Sequence, residues 1–285
     1  MSYNWGGTDA IWLGRLVGTR KIYHNEHGFN VDEAKSTAFR KDLIRFFLYR
    51  LASKIIVVSH ELKSMMATKF KLDSNKVILI PNGINTNHFC PNSYERECIR
   101  KELGFGTTEF VIGFSGRLDP VKNFFLMASI FEECLSKSSD FQLLIVGEGE
   151  ERENIQKEFK KRNLNKNVHL VGPQKDVLPY LRAMDLYLLT SFREQMPLTI
   201  LEAMAVGLPV AATNVGEIPY MIDHLQNGII FERMEDPKKI ARMILDLNES
   251  TKYPLMQKSA REKVVSCFQE NLMLATYFSL LQNLN

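Results

Sequence analysis

The sequence predicts an α/β protein of two domains built on parallel, doubly wound sheets, and three observations carry that expectation. Short apolar runs alternate with longer amphipathic stretches, the pattern that parallel strands joined by crossover helices impose. The chain has 285 residues, a length that suits two domains of ordinary size. Hydrophobic residues make up 45% and charged residues 24%, which supplies sizeable cores and argues against disorder.

Taken in order, Lys21 to Glu26 is a candidate strand, Lys35 to Leu51 a basic amphipathic helix, and Lys54 to Ser59 an unbroken apolar run that reads as a buried strand. Glu61 to Phe70 has helical spacing, and Lys76 to Ile80 is a strand ended by Pro81-Asn82-Gly83. Thr86 to Ser93 reads as a polar, Pro-containing linker, and Tyr94 to Leu103 as the helix entering a second domain. The expected domains are therefore 1–92 and 93–265, with 266–285 a terminal helix packing back toward the first. In the second domain, strands are expected at Phe110 to Phe114, Phe141 to Val146, Val168 to Val171, Asp185 to Leu189, Leu208 to Ala212 and Gly228 to Phe231. Helices fall between them at Asn123 to Leu135, Glu151 to Arg162, Val177 to Ala183 and Leu198 to Val206, with a short turn near Ile218 to Ile222. Asp236 to Leu247, Tyr253 to Ser266 and Glu270 to Leu281 close the chain as helices.

Several function classes are set aside by composition. A net charge of +3 is too small to argue for nucleic acid, so an anionic ligand must be met by locally placed cations. Cys90, Cys98, Cys134 and Cys267 have no metal-ligand or CxxC spacing, which fits free thiols in a reducing compartment. No apolar run reaches the roughly 18 residues of a membrane span, and no signal peptide is evident. The expected location is cytoplasmic, at the inner membrane surface if the amphipathic stretch Phe39 to Leu51 touches lipid. The commoner reading of that stretch is a helix packed on the first sheet with its arginines outside.

The stretch Ser191 to Val210, SFREQMPLTILEAMAVGLPV, concentrates the chemistry. Pro197 suits the first turn of a helix, Gly207 suits its stop, and Leu198, Leu201 and Ala205 form an apolar stripe. Glu194 precedes this helix. Glu202 lies inside it among apolar neighbours, where an ionised carboxylate is costly unless hydrogen bonds are donated to it; a sugar diol is such a donor. If the second sheet is wound in the common order, its first and fourth strands flank the switch point where ligands bind. That would make Ser115-Gly116-Arg117-Leu118-Asp119-Pro120-Val121-Lys122 a neighbour of the loop carrying Glu194. A cation at a helix start, as at Lys122, conflicts with the dipole unless an anion is present, and a diphosphate would remove the conflict, with Arg117 forking onto its oxygens. Gly147 and Gly149 in Val146-Gly147-Glu148-Gly149 are most simply a turn.

The spelling Glu194, Pro197, Glu202-Ala203-Met204-Ala205, Gly207, Pro209 and Val210, with Gly116-Arg117-Leu118 and Lys122, resembles the paired-glutamate signature of retaining GT-B glycosyltransferases, the family 4 type of glycosyl transferases group 1. The resemblance runs from about Lys21 to the end and implies two Rossmann-like domains facing a cleft. It implies a donor site in which Gly116, Arg117 and Lys122 hold a diphosphate, Glu202 the ribose diol, and Glu194 with the backbone amides of Met196 and Leu198 the donor sugar. The loops after the second and third strands would lie near the base. On the acceptor side, His27 before Gly28 stands where the family has a histidine facing the transferred sugar, with His24 the competing choice. The chain departs from the family at Gln195, where Gly is usual, and at Gly216-Glu217, where two glycines are usual. A complete first domain would open with a strand and a Gly-rich loop, and Met1 to Trp5 has neither, so the first domain is expected to be incomplete.

The expected activity is transfer of a sugar, with retention, from a uridine or guanosine diphosphate donor to a glycan or lipid-linked acceptor, without metal or other cofactor. The alternatives are an inactive nucleotide-sugar binder or assembly partner, suggested by the short first domain, and a nucleotide-sugar epimerase, against which the glutamate pair speaks.

Overall fold

Parallel pairing governs both sheets of the computed structural model, which describes residues 8–28 and 38–282. The chain divides into two units, residues 1–82 with 273–285 and residues 83–272. In the first, α1 (Thr8–Leu16), β1 (Tyr23–Glu26), α2 (Ala38–Leu51), β2 (Lys54–Val57), α3 (His60–Thr68) and β3 (Val77–Leu79) follow one another. Their strands lie in the order β1-β2-β3, in register at Tyr23 with Lys54 and at Ile55 with Val77. The central strand β2 buries Ile55, Ile56 and Val57, which is why it reads as an unbroken apolar run. Ser59 ends that run and caps α3 by accepting the Leu62 N–H.

Helix α1 was not among the expected elements. It buries Ile11 but exposes Trp12, Leu13 and Leu16, so its apolar residues trace no single face to read. Met1 to Trp5 and the expected helix start at Lys35 lie outside the described residues. On α2 the expectation of arginines outside needs correction: Arg45 is buried with Leu48 and Tyr49, while Leu43, Ile44 and Phe47 are exposed. Helical spacing alone leaves open which of two mixed faces meets the sheet.

The second unit comprises α4 (Ser93–Glu102), β4 (Phe110–Ser115), α5 (Phe124–Leu135), β5 (Phe141–Val146), α6 (Arg152–Lys161), β6 (Val168–Gly172), α7 (Leu178–Ala183) and β7 (Leu186–Leu189), followed by α8 (Leu198–Ala205), β8 (Val210–Thr213), α9 (Ile218–Met221), β9 (Gly228–Phe231), α10 (Pro237–Asn248) and α11 (Tyr253–Cys267). Helix α12 (Glu270–Gln282) crosses from this unit into the first. The strand order is β6-β5-β4-β7-β8-β9, the doubly wound order with its switch between β4 and β7 that was expected. Strands β4, β5, β7 and β8 are buried at every residue, as a sheet covered on both faces requires.

The unit boundary falls after Asn82 rather than after residue 92. The segment read as a linker is bound to the second unit. Ile84 exchanges hydrogen bonds with Phe268 O and Glu270 N, the Arg261 guanidinium reaches Thr86 O and Phe89 O, and Arg182 Nε reaches Cys90 O. These partners come from helices late in the chain, so local polarity could not reveal them. The start of β8 at Val210 instead of Leu208 has a related cause. Gly207, at φ +83, and Leu208 cap α8 by donating to Met204 O and Ala203 O, the two bonds of a Schellman stop.

Candidate active site

Because β4 and β7 are adjacent, the loops at their carboxyl ends must meet, and hydrogen bonds fix how. Phe192 N–H donates to Val121 O at 2.8 Å, and Thr190 Oγ1 donates to Lys122 O at 2.8 Å and Asn123 O at 3.1 Å. On the other side, Thr213 Oγ1 donates to Ser191 O at 2.7 Å and Glu217 N–H to Gln195 O at 2.8 Å. The glutamate loop is thus clamped between the loops that follow β4 and β8. Gln195 does not lie in the left-handed region, so this turn does not demand the glycine usual there.

Lys122 Nζ lies 2.6 Å from Glu194 Oε1, with their side chains 17% and 12% exposed. Ser191 Oγ donates to the same oxygen at 2.7 Å, and among the described residues Oε2 has no partner. Lys122 closes a 3-10 turn, Pro120–Lys122, capped by Asp119, and Asn123 at φ 52 caps α5. The cation at the helix start is paired with Glu194. An ammonium has three donors, so the pairing leaves others available.

The structure does not bring Arg117 to the glutamates. Its guanidinium is 80% exposed and pairs with Asp119 Oδ2 at 3.0 Å. The convergence of two cations and two acids holds for Lys122 and Glu194. Gly116 N–H donates to Val146 O, and a Cβ on Gly147, at φ +143, would collide with Gly116 O. That glycine permits a close backbone approach of the loops after β4 and β5.

Pro197 is the N-cap of α8 rather than its first-turn residue. Leu201 and Ala205 are buried but Leu198 is 46% exposed, which corrects the expected stripe: the buried set runs through Ile200, Leu201, Ala203, Met204 and Ala205, and Leu198 at the first turn overhangs the end. Its N–H has no intrahelical acceptor by position, and the Met196 side chain is buried beside it. Glu202 is half-buried, and burial pushes its carboxyl above the ordinary range. No donor to that carboxylate is found among the described residues.

In the first unit, β1 ends by exposing His27 and burying His24. Burial raises the Glu26 carboxyl, but His24 Nε2 at 3.6 Å, the Tyr49 hydroxyl at 2.6 Å and the Gly28 N–H at 3.3 Å hold it below the ordinary value. His24 is buried, its Nε2 without a hydrogen-bond partner among the described residues, which leaves His27 as the accessible histidine of the two.

Among the described residues no three His, Cys, Asp or Glu side chains group as a metal site would, and no helix is long and apolar enough to cross a membrane. A groove of about 810 Å³ lined by Val206, Gly207, Asp223, Arg261 and Lys263 lies at the far end of α8 from Glu194.

A family model described as Glycosyl transferases group 1 matches residues 95–264, more than half of the chain. The chain belongs to this family. A second glycosyltransferase model, Glycosyltransferase Family 4, matches residues 3–88. The Escherichia coli UDP-Gal:alpha-D-GlcNAc-diphosphoundecaprenol alpha-1,3-galactosyltransferase is 29% identical over 261 residues, covering 89% of this chain and 67% of that protein. Bacillus anthracis N-acetyl-alpha-D-glucosaminyl L-malate synthase is 28% identical over 265 residues, 92% of this chain and 68% of that one. Anabaena HepE, solved with UDP-glucose, superposes with a TM-score of 0.86 at 21% identity over 97% of this chain and 77% of its own, a likeness of fold. The chain spans between 41% and 68% of the length of four curated relatives that it matches. The architecture is accordingly that of the GT-B glycosyltransferases.

Within this glycosyltransferase frame, sequence reasoning missed Thr190, Ser191, Thr213 and Asp119, which seat Lys122, Glu194 and Arg117. Ser191 and Asp119 lie three and two residues from their partners, so local spacing could have raised them. Thr213 had no local sign.

Proposed function

We propose that the protein transfers a sugar, with retention, from a nucleoside-diphosphate donor held by the second unit. The observation that carries the reading is the Lys122 and Glu194 pair at the carboxyl ends of β4 and β7, the switch point where doubly wound sheets bind ligands. Lys122, with Arg117 turning from Asp119, would stabilise charge building on the departing diphosphate, where preorganised electrostatics helps most. Gly116 admits the phosphates. The free Oε2 of Glu194 accepts from donor-sugar hydroxyls, joined by the Met196 and Leu198 amides, and the ribose diol supplies the donors Glu202 lacks. The first unit contributes His27, assigned to the acceptor side by resemblance. The two cations perform the task a metal performs elsewhere, so no metal or other cofactor is proposed.

The relatives support a uridine diphosphate sugar, since one is named for UDP-Gal and the Anabaena structure holds UDP-glucose. A glycan or lipid-linked acceptor is proposed from the diphosphoundecaprenol in the first name. Reached from the cytoplasmic side, such an acceptor calls for peripheral membrane contact, for which the exposed Leu43, Ile44 and Phe47 beside Arg40 and Arg50 are the candidates. A second reading is a nucleotide-sugar binder without turnover. The test is a thermal-shift panel of uridine and guanosine diphosphate sugars, because a ligand of the folded state raises the midpoint by mass action. A rise that Lys122→Ala abolishes is expected. No rise with any donor would refute the reading, and binding without release of diphosphate in any acceptor screen would favour the second one.

A further inference from the structure

The turn that carries His27 is tied down by a buried carboxylate. Glu26 is the last residue of β1 and is 7% exposed, and an ionised group so placed is costly unless donors reach it. Each of its oxygens has one. The Gly28 N–H donates to Oε1 at 3.3 Å and the Tyr49 hydroxyl donates to Oε2 at 2.6 Å. His24 Nε2, 3.6 Å from Oε2, is beyond hydrogen-bond reach. Burial opposes ionisation of Glu26, yet its neighbours hold the carboxyl below the ordinary value, so it is a charged acceptor at neutral pH, the kind that makes strong hydrogen bonds.

The two bonds bracket one residue. Glu26 and Gly28 are two apart, so the bond between them closes over His27, the exposed member of the three. Gly28, at φ 137, takes a conformation that glycine adopts readily and other residues do not. Tyr49 is 0% exposed on α2 and meets Phe70 edge-on at 5.0 Å, so the carboxylate hangs from a fixed point of the core. Because β1 pairs in parallel with β2, His27 stands at the carboxyl edge of its sheet, where parallel sheets present ligand-binding residues.

We infer that Glu26, braced by Tyr49, is a positioning residue for His27, its carboxylate fixing the backbone turn from which that imidazole extends. This rests on the acceptor-side reading of His27 above. The test compares wild type with Glu26→Leu, Glu26→Gln and His27→Ala. Glutamine is the conservative variant, because its carbonyl can accept the Gly28 N–H while its amide donates to the Tyr49 oxygen. Amide exchange at Gly28 and the His27 HN–Hα coupling, which reports φ, are measured by NMR without ligand, and release of UDP from UDP-glucose is the turnover probe. In Glu26→Leu, Gly28 exchange should quicken about tenfold, what one net hydrogen bond supplies, and the coupling should move toward a conformational average. UDP release at saturating donor should fall about tenfold, toward the rate of His27→Ala, with KM for UDP-glucose unchanged because the second unit holds the donor. Glu26→Gln should recover most of both losses. Unchanged Gly28 exchange in Glu26→Leu would overturn the inference, and so would an equal loss in Glu26→Gln, or a lower unfolding midpoint with the rate unaltered. Should the Leu variant not fold, Tyr49→Phe must reproduce the faster Gly28 exchange, or the inference fails. UDP release that His27→Ala leaves untouched would sink the reading of His27 instead, and wild type that releases no UDP would count against sugar transfer. Both outcomes are kept apart because exchange and coupling are read on the free protein.

Discussion

Removing Lys122 should weaken the second unit by an amount that the geometry brackets. The ion pair to Glu194 is 2.6 Å long with side chains 17% and 12% exposed. Fully exposed pairs contribute about 0.2–1 kcal/mol, and stripping one partner from a buried pair costs about 3–5 kcal/mol. The residual exposure and the second donor at Ser191 place Lys122→Met between these, at about 2 kcal/mol. For a domain the size of the second unit, about 2–4 °C accompany each kcal/mol, so the midpoint should fall by about 4–8 °C. Glu194→Gln keeps an acceptor for both Lys122 and Ser191 and should cost less. The double variant should lose less than the two singles together, with a coupling of about 1–2 kcal/mol. Urea unfolding read by far-UV circular dichroism is the assay, because both tryptophans, Trp5 and Trp12, belong to the first unit and would not report on the second. Additivity within about 0.5 kcal/mol, at unchanged urea dependence, would mean that the pair is a surface contact without energetic weight.

Two further outcomes follow from the same site. Gly147→Ala would place a Cβ against Gly116 O from a φ of +143; a loss of about 2 kcal/mol in urea unfolding is expected, the scale of strain at such positions, and a loss below about 0.5 kcal/mol would show that the two loops can separate freely. Glu202 carries a carboxyl that burial raises above its ordinary 4.5. A carboxyl raised on folding contributes stability below its unfolded value and loses it as pH climbs through the raised one. Relative to Glu202→Gln, wild-type protein should therefore lose midpoint as pH climbs from the ordinary carboxyl value through the raised one, and a pH-independent difference between the two would contradict the burial argument.

What could be read from residues in order was considerable. The apolar runs located all six strands of the second unit, and their alternation with helices implied a doubly wound sheet, whose usual order, found in the structure, sets β4 beside β7. From that order alone the loops bearing Lys122 and Glu194 become neighbours, although 72 residues separate them. The helix spelling after Glu194, with Pro197 before it and Gly207 after it, placed α8 within a residue at each end. These features share a cause: periodicity, capping and turn chemistry act over a turn or two of chain, and a parallel sheet leaves few ways to arrange what they produce.

The misreadings have the opposite character. Leu198 fits an apolar stripe until the first turn of α8 is seen to project beyond the packed helix. Residues 86–93 look like a polar linker because the arginines that fasten them, Arg182 and Arg261, are encoded far downstream. Tyr187 reads as one more apolar strand residue, and its hydroxyl acquires meaning from the Ser115 backbone on another strand. The sequence by itself determined the strands and helices of the second unit and the doubly wound kind of sheet they build. The tertiary structure decided which polar atoms meet, because a hydrogen bond depends on fractions of an ångström between distant segments, and no local pattern encodes that distance.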